Sequence, residues 1–586
     1  MSSRITGIAL FVLAIICVAG VPATAQSFRV QCPTSTITHP DTTTTQLVNS
    51  SEPQYIGPTA FVNTNPGNPA KGYLVPTPGT VNGAIKCQQI SGGDGYSTMA
   101  DGTQIFMFSF GPLSGLANMA AGLPGTDFPN DFNQLAPGPG PLLPGDPATT
   151  DGAGDSPYSV GDVVTGSGAA AVVNPNPTFT FNGAVGLIPD TDCLADPTCA
   201  LTIPASGLDG HVDPRQIMDV GVMNGNIPAP LMAIDEDDEF FLTLTNVGMI
   251  MRPDLFEQHT VHFHGYPNAS AFYDGVPDAS IAINIGGSFT YYYLAPDAGT
   301  YFWHCHITPP EHLQMGMVGQ IYVRPRQNRV PSDATHTLYA ALTAQQNDPR
   351  TACNPAVDVL CSTMLPHAFN SVEHLNNKSG SPTLFAYNDG DGSTAYDVEY
   401  PLQIHGFDPN FHWVGMTFNP EGFASMKDKY FLLNGRSYPD TVTPGPLQTQ
   451  TSDGRSHFSQ PLPSIINIPA GGKALLRISD LDVTEYQTLA SLGIPMHVVG
   501  YNAKLLRDQA GNNQDYYTNS ITLAGGESLD VILDASNTAY QSGQVFYLFT
   551  PQLDHLSNDA ENFGGLMTEV HICNTVDPIS KACNAL

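Results

Sequence analysis

The residues best suited to bind a metal are concentrated in the stretch GTYFWHCHITPPEHLQMGM. There His304 and His306 flank Cys305, and His312 and Met317 follow shortly after. Side chains alternate between two faces along a β-strand, so the histidines of FWHCH share one face and Cys305 takes the other. Imidazole, thiolate and thioether groups are the ligands that copper sites use. The spacing therefore predicts two metal sites back to back on one strand.

A second segment, EQHTVHFHGYP, shows the same alternation. His262 and His264 fall on one face, and His259, three residues before His262, falls on the other. Pairing the two segments gives a cysteine set, which suits blue copper, and a histidine set, which suits copper or zinc. The cysteine set is His259, Cys305, His312 and Met317, and the histidine set is His262, His264, His304 and His306. Because Cys305 is covalently adjacent to two members of the histidine set, the spacing indicates an electron path between the sites.

Cysteine counting isolates the same residue. The chain has ten cysteines, of which Cys17 lies in an N-terminal apolar run. In an exported protein the remaining nine are an odd number, which leaves one thiol free. Eight form sequence-local pairs that we predict as disulfides: Cys32 with Cys87, Cys193 with Cys199, Cys353 with Cys361, and Cys573 with Cys583. Cys305 is the residue left over, as a metal ligand would be.

The N-terminus predicts export. MSSRITGIALFVLAIICVAGVPATAQ contains one arginine, an apolar run and then small residues, which suits cleavage of a signal peptide at 1–25. We therefore expect a secreted or periplasmic protein. No later segment is long and apolar enough to predict a membrane span.

The net negative charge limits the classes of molecule that this protein is expected to bind. Fifty-three acidic residues against twenty basic ones give a formal net charge of -33, which argues against nucleic acid or anionic lipid as a partner. Small molecules or cations fit better. The acidic run DEDDE at 235–239 could attract Mn, Fe or Cu ions as reducing substrates, but we expect a solvated turn before a strand.

The sequence pattern predicts an all-β protein. Short apolar and aromatic runs such as FFLTLTNVG and GKALLRISDLD alternate with Gly, Pro, Asn and Asp clusters, as in β-sandwiches. The Gly/Pro-rich stretch LAPGPGPLLPGDPATTDGAGD indicates a long surface insertion. The predicted organisation after the signal peptide is an N-terminal extension at 26–94, a first domain at 95–329 with an insertion at about 111–217, a connector at 330–394 and a second domain at 395–586.

Both histidine segments resemble one protein family. HTVHFHG resembles the HxxHxHG strand of multicopper oxidases, and HCHITPPEHLQMGM resembles their HCHxxxHxxxxM signature. The resemblance implies two cupredoxin-like Greek-key β-sandwich domains. It also implies that the cysteine set holds type 1 copper and that the histidine set forms half of a trinuclear type 2/type 3 copper cluster. The implied activity is one-electron oxidation of a small-molecule or metal-ion substrate, coupled to reduction of dioxygen to water.

The sequence departs from that family in two places. The loop from His306 to His312 contains five residues, ITPPE, where the usual signature has three, and its prolines should stiffen the loop. The second domain also lacks the HxH pairs that would complete a trinuclear cluster. IPMHVVG keeps only His497, and YLFTPQLDHL keeps only His555.

This gap leaves copper nitrite reductases as an alternative. Their layout also has two cupredoxin domains, with a type 2 copper at a subunit interface. By that resemblance His264 and His304 would be ligands, His555 the third ligand and His497 a proton donor, with nitrite as the substrate. By analogy with two-domain relatives we expect a homo-oligomer such as a trimer. Against this alternative, the family has an aspartate at the position of His262.

Nitrite reductases also lack the second histidine after the cysteine, here His306. We therefore expect an oxidase. A non-catalytic blue-copper electron-transfer protein is a further alternative. His405 and His412, in IHGFDPNFHW, are candidates for completing a metal site.

Overall fold

The computed structural model describes two β-rich units and several short segments. Its described residues are 30–36, 39, 61–72, 74–76, 83–115, 118–119, 121–133, 163–165, 172–174, 225–249, 251–265, 270–295, 297–329, 383–417, 422–450, 456–508 and 511–584. The predicted signal peptide and the cysteines at 193, 199, 353 and 361 lie outside these residues. The all-β prediction is confirmed, because nearly all regular elements are strands.

The first unit, called here the first sandwich, has two four-stranded sheets, in the orders β10-β8-β3-β4 and β7-β12-β11-β9. The helices of this half are α1 (Pro129–Phe132) and α2 (Pro309–Gln314). The strands up to its end are β1 (Phe61–Asn63), β2 (Leu74–Pro76), β3 (Ile85–Thr98), β4 (Gln104–Pro112), β5 (Val163–Thr165), β6 (Val172–Asn174), β7 (Met232–Asp235), β8 (Glu239–Gly248), β9 (His262–Phe263), β10 (Ser288–Leu294), β11 (Gly299–His304) and β12 (Val318–Arg324).

The second unit, called the second sandwich, packs a seven-stranded sheet on a five-stranded one. Its α-helix is α3 (Pro409–Thr417). Its strands are β13 (Leu384–Phe385), β14 (Ala395–Tyr396), β15 (Val398–Phe407), β16 (Tyr430–Leu433), β17 (Leu447–Gln450), β18 (Ser456–Ser459), β19 (Ile466–Pro469), β20 (Lys473–Asp480), β21 (Gln487–Leu492), β22 (Met496–Tyr501), β23 (Lys504–Leu505), β24 (Tyr516–Thr518), β25 (Ser520–Leu523), β26 (Ser528–Asp534), β27 (Val545–Phe549), β28 (Met567–Cys573), β29 (Thr575–Val576) and β30 (Cys583–Asn584).

Strand β11 is buried on both of its faces, and this places the two ligand sets. Tyr301 and Trp303 belong to the core of the first sandwich. The alternate residues face the second sandwich: the Thr300 hydroxyl donates to Asp530 Oδ1 at 2.6 Å, and Phe302 packs with residues of both sandwiches. By the same alternation, Cys305 continues the core face and His304 continues the face toward the second sandwich.

The first strand of the first sandwich differs from the predicted domain boundary. β3 begins at Ile85, whereas the first domain was predicted to begin at 95. β3 pairs in parallel with β8 from Ile85↔Glu239 onward, so its apolar residues are buried in the sandwich and not in an extension. Likewise, β13 lies in the predicted connector and pairs with β14.

The acidic run 235–239 is buried, so the prediction of a solvated turn is wrong. Asp237 does form a turn, with φ +76°, just before β8. The Arg326 guanidinium lies 3.0 Å from Glu236 and 2.8 Å from Asp237, and Asp238 Oδ1 accepts the Ala84 N–H. Because these carboxylates are already paired within the protein, the run is a structural element.

The disulfide predictions that fall on described residues are confirmed. Cys32 pairs with Cys87, and Cys573 pairs with Cys583. Cys305 is a buried free thiol. Among the described residues, no helix is long and apolar enough to cross a bilayer.

A buried ionic network joins the two sandwiches. Glu399, on β15, accepts from Arg324 at 2.7 Å and from Arg477 at 3.1 Å, and the Lys581 ammonium donates to its backbone carbonyl. Burial alone would raise the pKa of Glu399. The neighbouring cations have the larger effect and hold that pKa well below its ordinary value. The network fixes the face of the first sandwich that carries His304.

Candidate metal centre

The cysteine set converges in the core of the first sandwich. His259, Cys305 and His312 are completely buried, and their ligand atoms lie within 4.8 Å of one another. His312 Nδ1 is 3.2 Å from Cys305 Sγ. Met317 is also completely buried, and its carbonyl accepts the Cys305 N–H at 3.1 Å. This arrangement brings together the donor types of a blue-copper site.

Backbone and small residues shape this site. The Thr260 N–H points to Cys305 Sγ at 3.4 Å, while the Thr260 hydroxyl accepts the His306 N–H at 2.9 Å. Gly92 leaves room for the imidazole of His259, because a Cβ at Gly92 would lie 2.4 Å from His259 Cδ2. Thr260 therefore contacts both ligand sets, and β3 supplies a wall of the site.

The long loop after His306 forms helix α2. Thr308 has φ +36°, and its carbonyl accepts the N–H groups of Glu311 and His312. The prolines of ITPPE occupy the first helical positions, where a missing N–H costs no hydrogen bond. The two additional residues thus form a helical turn that aims His312 at Cys305.

The histidine set lies at the edge shared by β9 and β11. The strand register places His262 opposite His304, and His264 Nε2 lies 3.0 Å from His304 Nε2. Ligand atoms of these three residues lie within 4.8 Å of one another. The His306 ring is 5.0 Å from the ring of His262, outside that group of three.

Three members of the histidine set are oriented by backbone carbonyls. His262 Nδ1 is 2.6 Å from the Asp274 carbonyl, His304 Nδ1 is 2.6 Å from the Cys305 carbonyl, and His264 bonds the backbone of Gly526. A histidine that donates Nδ1–H leaves the Nε2 lone pair free, which is how metal-binding histidines are commonly held. Gly526 belongs to the second sandwich, which therefore touches this set.

The electrostatics favour neutral imidazoles at His259, His264 and His304. Burial, and then the charge of His312, lower the pKa of His259 well below its ordinary value. Burial and the neighbouring His262 lower the pKa of His264 to about 4. Neutral imidazole is the form that binds a metal. Both ring nitrogens of His259 are buried without a hydrogen-bond partner, so a metal would satisfy a donor atom that the protein leaves open.

His312 behaves differently because of its acidic neighbours. Burial lowers its pKa, but the charge on Cys305 and the Glu257 carboxylate raise the pKa of His312 to about 9. Glu257 Oε2 lies 3.4 Å from His312 Nε2, and the Glu257 side chain is 26% exposed. The partly exposed Glu257 carboxylate therefore lies between His312 Nε2 and solvent.

The second sandwich does not bring its histidines to either set within this chain. His497 stacks on Tyr517 at 4.4 Å and lies 3.0 Å from Asp515. His555 stacks on Phe431 at 3.8 Å and lies 3.3 Å from Glu485. In the part of the chain that the structure describes, groups of three His, Cys, Asp or Glu ligands arise only from the cysteine and histidine sets.

His405 and His412 do not complete a metal site, which corrects that prediction. His405 Nε2 lies 2.9 Å from the Leu313 carbonyl, and His412 Nε2 lies 3.0 Å from the Gln314 carbonyl. His412 Nδ1 contacts the carbonyl of Phe106. Both imidazoles are buried against carbonyl oxygens, and neither residue belongs to a group of three possible ligands among the described residues.

Several contact residues could not be recognised from the sequence. Gly92 fell in the predicted extension, and Gly526 lies far along the chain in the other sandwich. Thr260 and Glu257 flank His259, so their proximity in sequence was the one available signal. Their roles depend on where the backbone N–H and the carboxylate point, which the residue types do not specify.

Comparison with known proteins supports the family resemblance. The multicopper oxidase family model matches residues 209–328, the segment that contains both ligand sets. This segment is therefore similar to multicopper oxidases. It is 34% identical over 109 residues to laccase abr2 of Aspergillus fumigatus, which covers 18% of this chain and 17% of that protein. It is 35% identical over 121 residues to the copper-containing nitrite reductase of Rhizobium meliloti, which covers 20% and 29%.

These likenesses are local. The chain matches well under two thirds of the length of each of these multicopper relatives. Among solved structures, the blue copper oxidase of Nitrosomonas europaea aligns with 60% of this chain and 78% of its own, at 20% identity and a TM-score of 0.38.

Proposed function

We propose that this protein is a copper-dependent oxidoreductase of the multicopper oxidase type. It takes single electrons from a reducing substrate at the cysteine set and passes them to dioxygen at the histidine set. The observation that supports this is the shared strand: Cys305 lies in the core beside His259 and His312, and its neighbour His304 lies in the group with His262 and His264. The two sets are joined by covalent bonds.

Each residue of the cysteine set has a distinct role. His259, Cys305 and His312 would hold type 1 copper, and the buried thioether of Met317 would be a further, weaker ligand. Bound there, copper supplies one-electron redox chemistry. Glu257 lies at the outer Nε2 edge of His312, so a small organic molecule or a metal ion would donate its electron there. The similarity of this segment to laccases favours a reducing substrate that donates electrons at this site.

The histidine set would hold type 2 or type 3 copper. The Nδ1 groups of His262 and His304 face backbone carbonyls, His264 Nε2 lies 3.0 Å from His304 Nε2, and ligand atoms of the three residues lie within 4.8 Å of one another. Phe302 packs against the rings of His264 and His304 and excludes water from one side. These residues would bind the metal and keep the acceptor site dry.

A nitrite-reductase-like enzyme is the second candidate. The observation that favours it is the incomplete histidine set, because His306 lies outside the group of three and the second sandwich adds no histidine to it. In this proposal His555 of a neighbouring copy would be the third ligand of type 2 copper and His497 a proton donor, within a homo-oligomer such as a trimer. A blue-copper electron carrier without a second copper is the remaining alternative.

The predicted signal peptide and the two confirmed disulfides lead us to propose a secreted or periplasmic location, because disulfides form and persist in oxidising compartments.

The deciding experiment is the copper content per chain, together with the fraction visible to electron paramagnetic resonance. About four coppers with half of them silent would show a coupled pair and support the oxidase. About two, visible as one type 1 and one type 2 signal, would support the nitrite-reductase-like site. Type 1 copper alone would leave an electron carrier, and no copper would contradict the whole proposal.

A further inference from the structure

The segment between two members of the cysteine set is held by the second sandwich. Leu313 and Gln314 lie between His312 and Met317, at the end of helix α2. The last carbonyls of a helix have no partner within it and must be satisfied from outside. The Leu313 carbonyl accepts the Gly316 N–H at 3.0 Å, and further partners come from the other sandwich, which contributes none of the described residues in either ligand group.

Two buried histidines meet these carbonyls. His405 Nε2 donates to the Leu313 carbonyl at 2.9 Å, and His412 Nε2 lies 3.0 Å from the Gln314 carbonyl. A neutral imidazole donates from one nitrogen, so His412 can donate to only one of the Gln314 and Phe106 carbonyls. His405 faces one carbonyl and is the more direct of the two contacts.

The Gln314 side chain is fixed at both ends. Its Nε2 donates to Asp428 Oδ1 at 3.0 Å, and its Oε1 accepts the Asp408 N–H at 2.8 Å. Asp408 also accepts the Asn410 N–H at the start of α3, the helix that carries His412. The contacts to α2 therefore come from one connected unit of the second sandwich.

Apolar packing follows the same path. Phe411 of α3 belongs to the core cluster that contains Cys305 and Met317. Gly415 lies against Met315, with 3.6 Å between a Cβ placed there and the Met315 sulfur. The second sandwich thus reaches the residues on both sides of the axial methionine.

We propose that the second sandwich positions the cysteine set: His405, supported by His412 and Asp428, holds Leu313 and Gln314 and so fixes His312 relative to Met317. This role rests on the copper site proposed above. In blue-copper sites the axial ligand tunes the reduction potential, so holding this segment sets the potential of the site. It gives the second sandwich a task that requires no copper ligand of its own.

The test uses the full chain and three variants. His405→Phe keeps a ring against Phe407 but removes the donor, whereas His405→Gln keeps an Nε2 donor. His571→Phe is the matched control, because His571 pairs with Glu569 on β28 in the other sheet of the second sandwich. Copper-free protein is examined by amide hydrogen exchange over residues 311–317, and copper-loaded protein by reduction potential and chelator competition.

In copper-free protein we expect faster exchange at 311–317 in His405→Phe, and wild-type rates in His405→Gln and His571→Phe. In loaded protein, His405→Phe should shift the potential and weaken copper retention about 10- to 100-fold, the usual effect of losing an outer contact. Unchanged exchange in His405→Phe would overturn the positioning role, as would equal losses in His405→Phe and His405→Gln. A wild-type chain without a blue-copper signal would overturn the proposed function, and the exchange result would be unaffected.

Discussion

The two sandwiches share an architecture but treat their histidines in opposite ways. In the first sandwich, ligand atoms of His262, His264 and His304 lie within 4.8 Å of one another. In the second, His497 and His555 each lie beside an aromatic ring and a carboxylate. Among the described residues, neither of them belongs to a group of three possible ligands. The two sandwiches therefore differ less in how many histidines they contain than in whether those histidines lie close enough together to bind one metal.

The comparison also shows what the second sandwich contributes. Its seven-stranded sheet contacts the face of β11 that carries Thr300, and its helix α3 contacts α2. It buries the histidine set and holds the cysteine set without supplying a ligand to either group within the chain. Substitutions in the two sandwiches should therefore affect copper directly in one and indirectly in the other.

The largest expected effect is from Cys305→Ser. Loss of the thiolate should abolish the intense visible absorption and substrate-driven turnover, because the strong colour of a blue-copper site arises from its cysteine ligand. Visible spectroscopy and electron paramagnetic resonance of copper-loaded protein measure this. Retention of the visible band would contradict the placement of the cysteine set.

The matched variant in the second sandwich is the double substitution of His497→Gln and His555→Gln. We expect it to keep the visible band, since neither residue approaches Cys305 in the ligand groups. Loss of the visible band in this variant would contradict the conclusion that the histidines of the second sandwich are not part of the copper site.

Glu399→Gln should have the next largest effect, on stability. It removes the nearer of the two carboxylates that pair with the completely buried Arg477, at 3.1 Å, and leaves Asp530 at 3.6 Å. Removing one partner of a buried pair costs about 3–5 kcal/mol. Chemical denaturation at pH 7 measures the loss, and Glu561→Gln, on the surface, is the control with a change within about 0.5 kcal/mol.

The same pair predicts the direction of the pH dependence. The pKa of Glu399 is depressed in the folded protein, so its stabilisation is complete above the unfolded pKa of about 4.3 and is lost as pH falls below it. Wild-type protein should lose this contribution in acid, and Glu399→Gln should show a shallower acid dependence. Parallel acid curves for the two proteins would exclude Glu399 as the cause.

The sequence predicted the all-β class and the convergence of the ligand sets for a simple reason. Alternation along FWHCH is a local property of strands, so it does not depend on the rest of the fold. The position of β3 was not predictable in the same way. Residues before 95 were predicted as an N-terminal extension, but β3 pairs with β8 over nine residues from Ile85.

The buried acidic run is a charged feature whose environment could not be predicted from the sequence. DEDDE is solvated in most proteins, yet here Arg326 lies 89 and 90 residues away along the chain and neutralises it. The prediction that His405 and His412 complete a metal site was wrong for a related reason. Their ring nitrogens were candidates for a metal until the fold brought the end of α2 against them. Long-range partners decide the role of a polar residue, and one sequence does not reveal them.

Gly92→Ala is expected to have a moderate effect on the first sandwich. The new Cβ would lie 2.4 Å from the His259 ring, so the ring or β3 must shift. Overpacking of this kind costs about 1–3 kcal/mol and should weaken the visible band. Gly422→Ala has no neighbour within 4 Å of its Cβ and is the control. An unchanged band in Gly92→Ala would show that His259 does not occupy the site.

Asp480→Asn should have the smallest effect, and it should be stabilising. Asp480 is completely buried, Oδ2 has no hydrogen-bond partner, and burial together with Asp482 raises its pKa well above the ordinary value. Asparagine keeps the acceptor for the N–H groups of Asp482 and Gln487. We expect a gain of about 1 kcal/mol at pH 7, the free energy of a pKa shift of about one unit, because the amide carries no charge beside Asp482.

The sign of its pH dependence distinguishes this carboxyl from Glu399. With a raised folded pKa, Asp480 costs stability increasingly as pH rises above its unfolded pKa of about 3.9, so the gain in Asp480→Asn should vanish near pH 3. Asp577→Asn is the opposite control, because hydrogen bonds from Ser580 and Ile579 lower the pKa of Asp577 and its substitution should destabilise at pH 7. A loss of stability in Asp480→Asn at pH 7 would mean that the second sandwich holds this carboxylate charged beside the loop that touches His264.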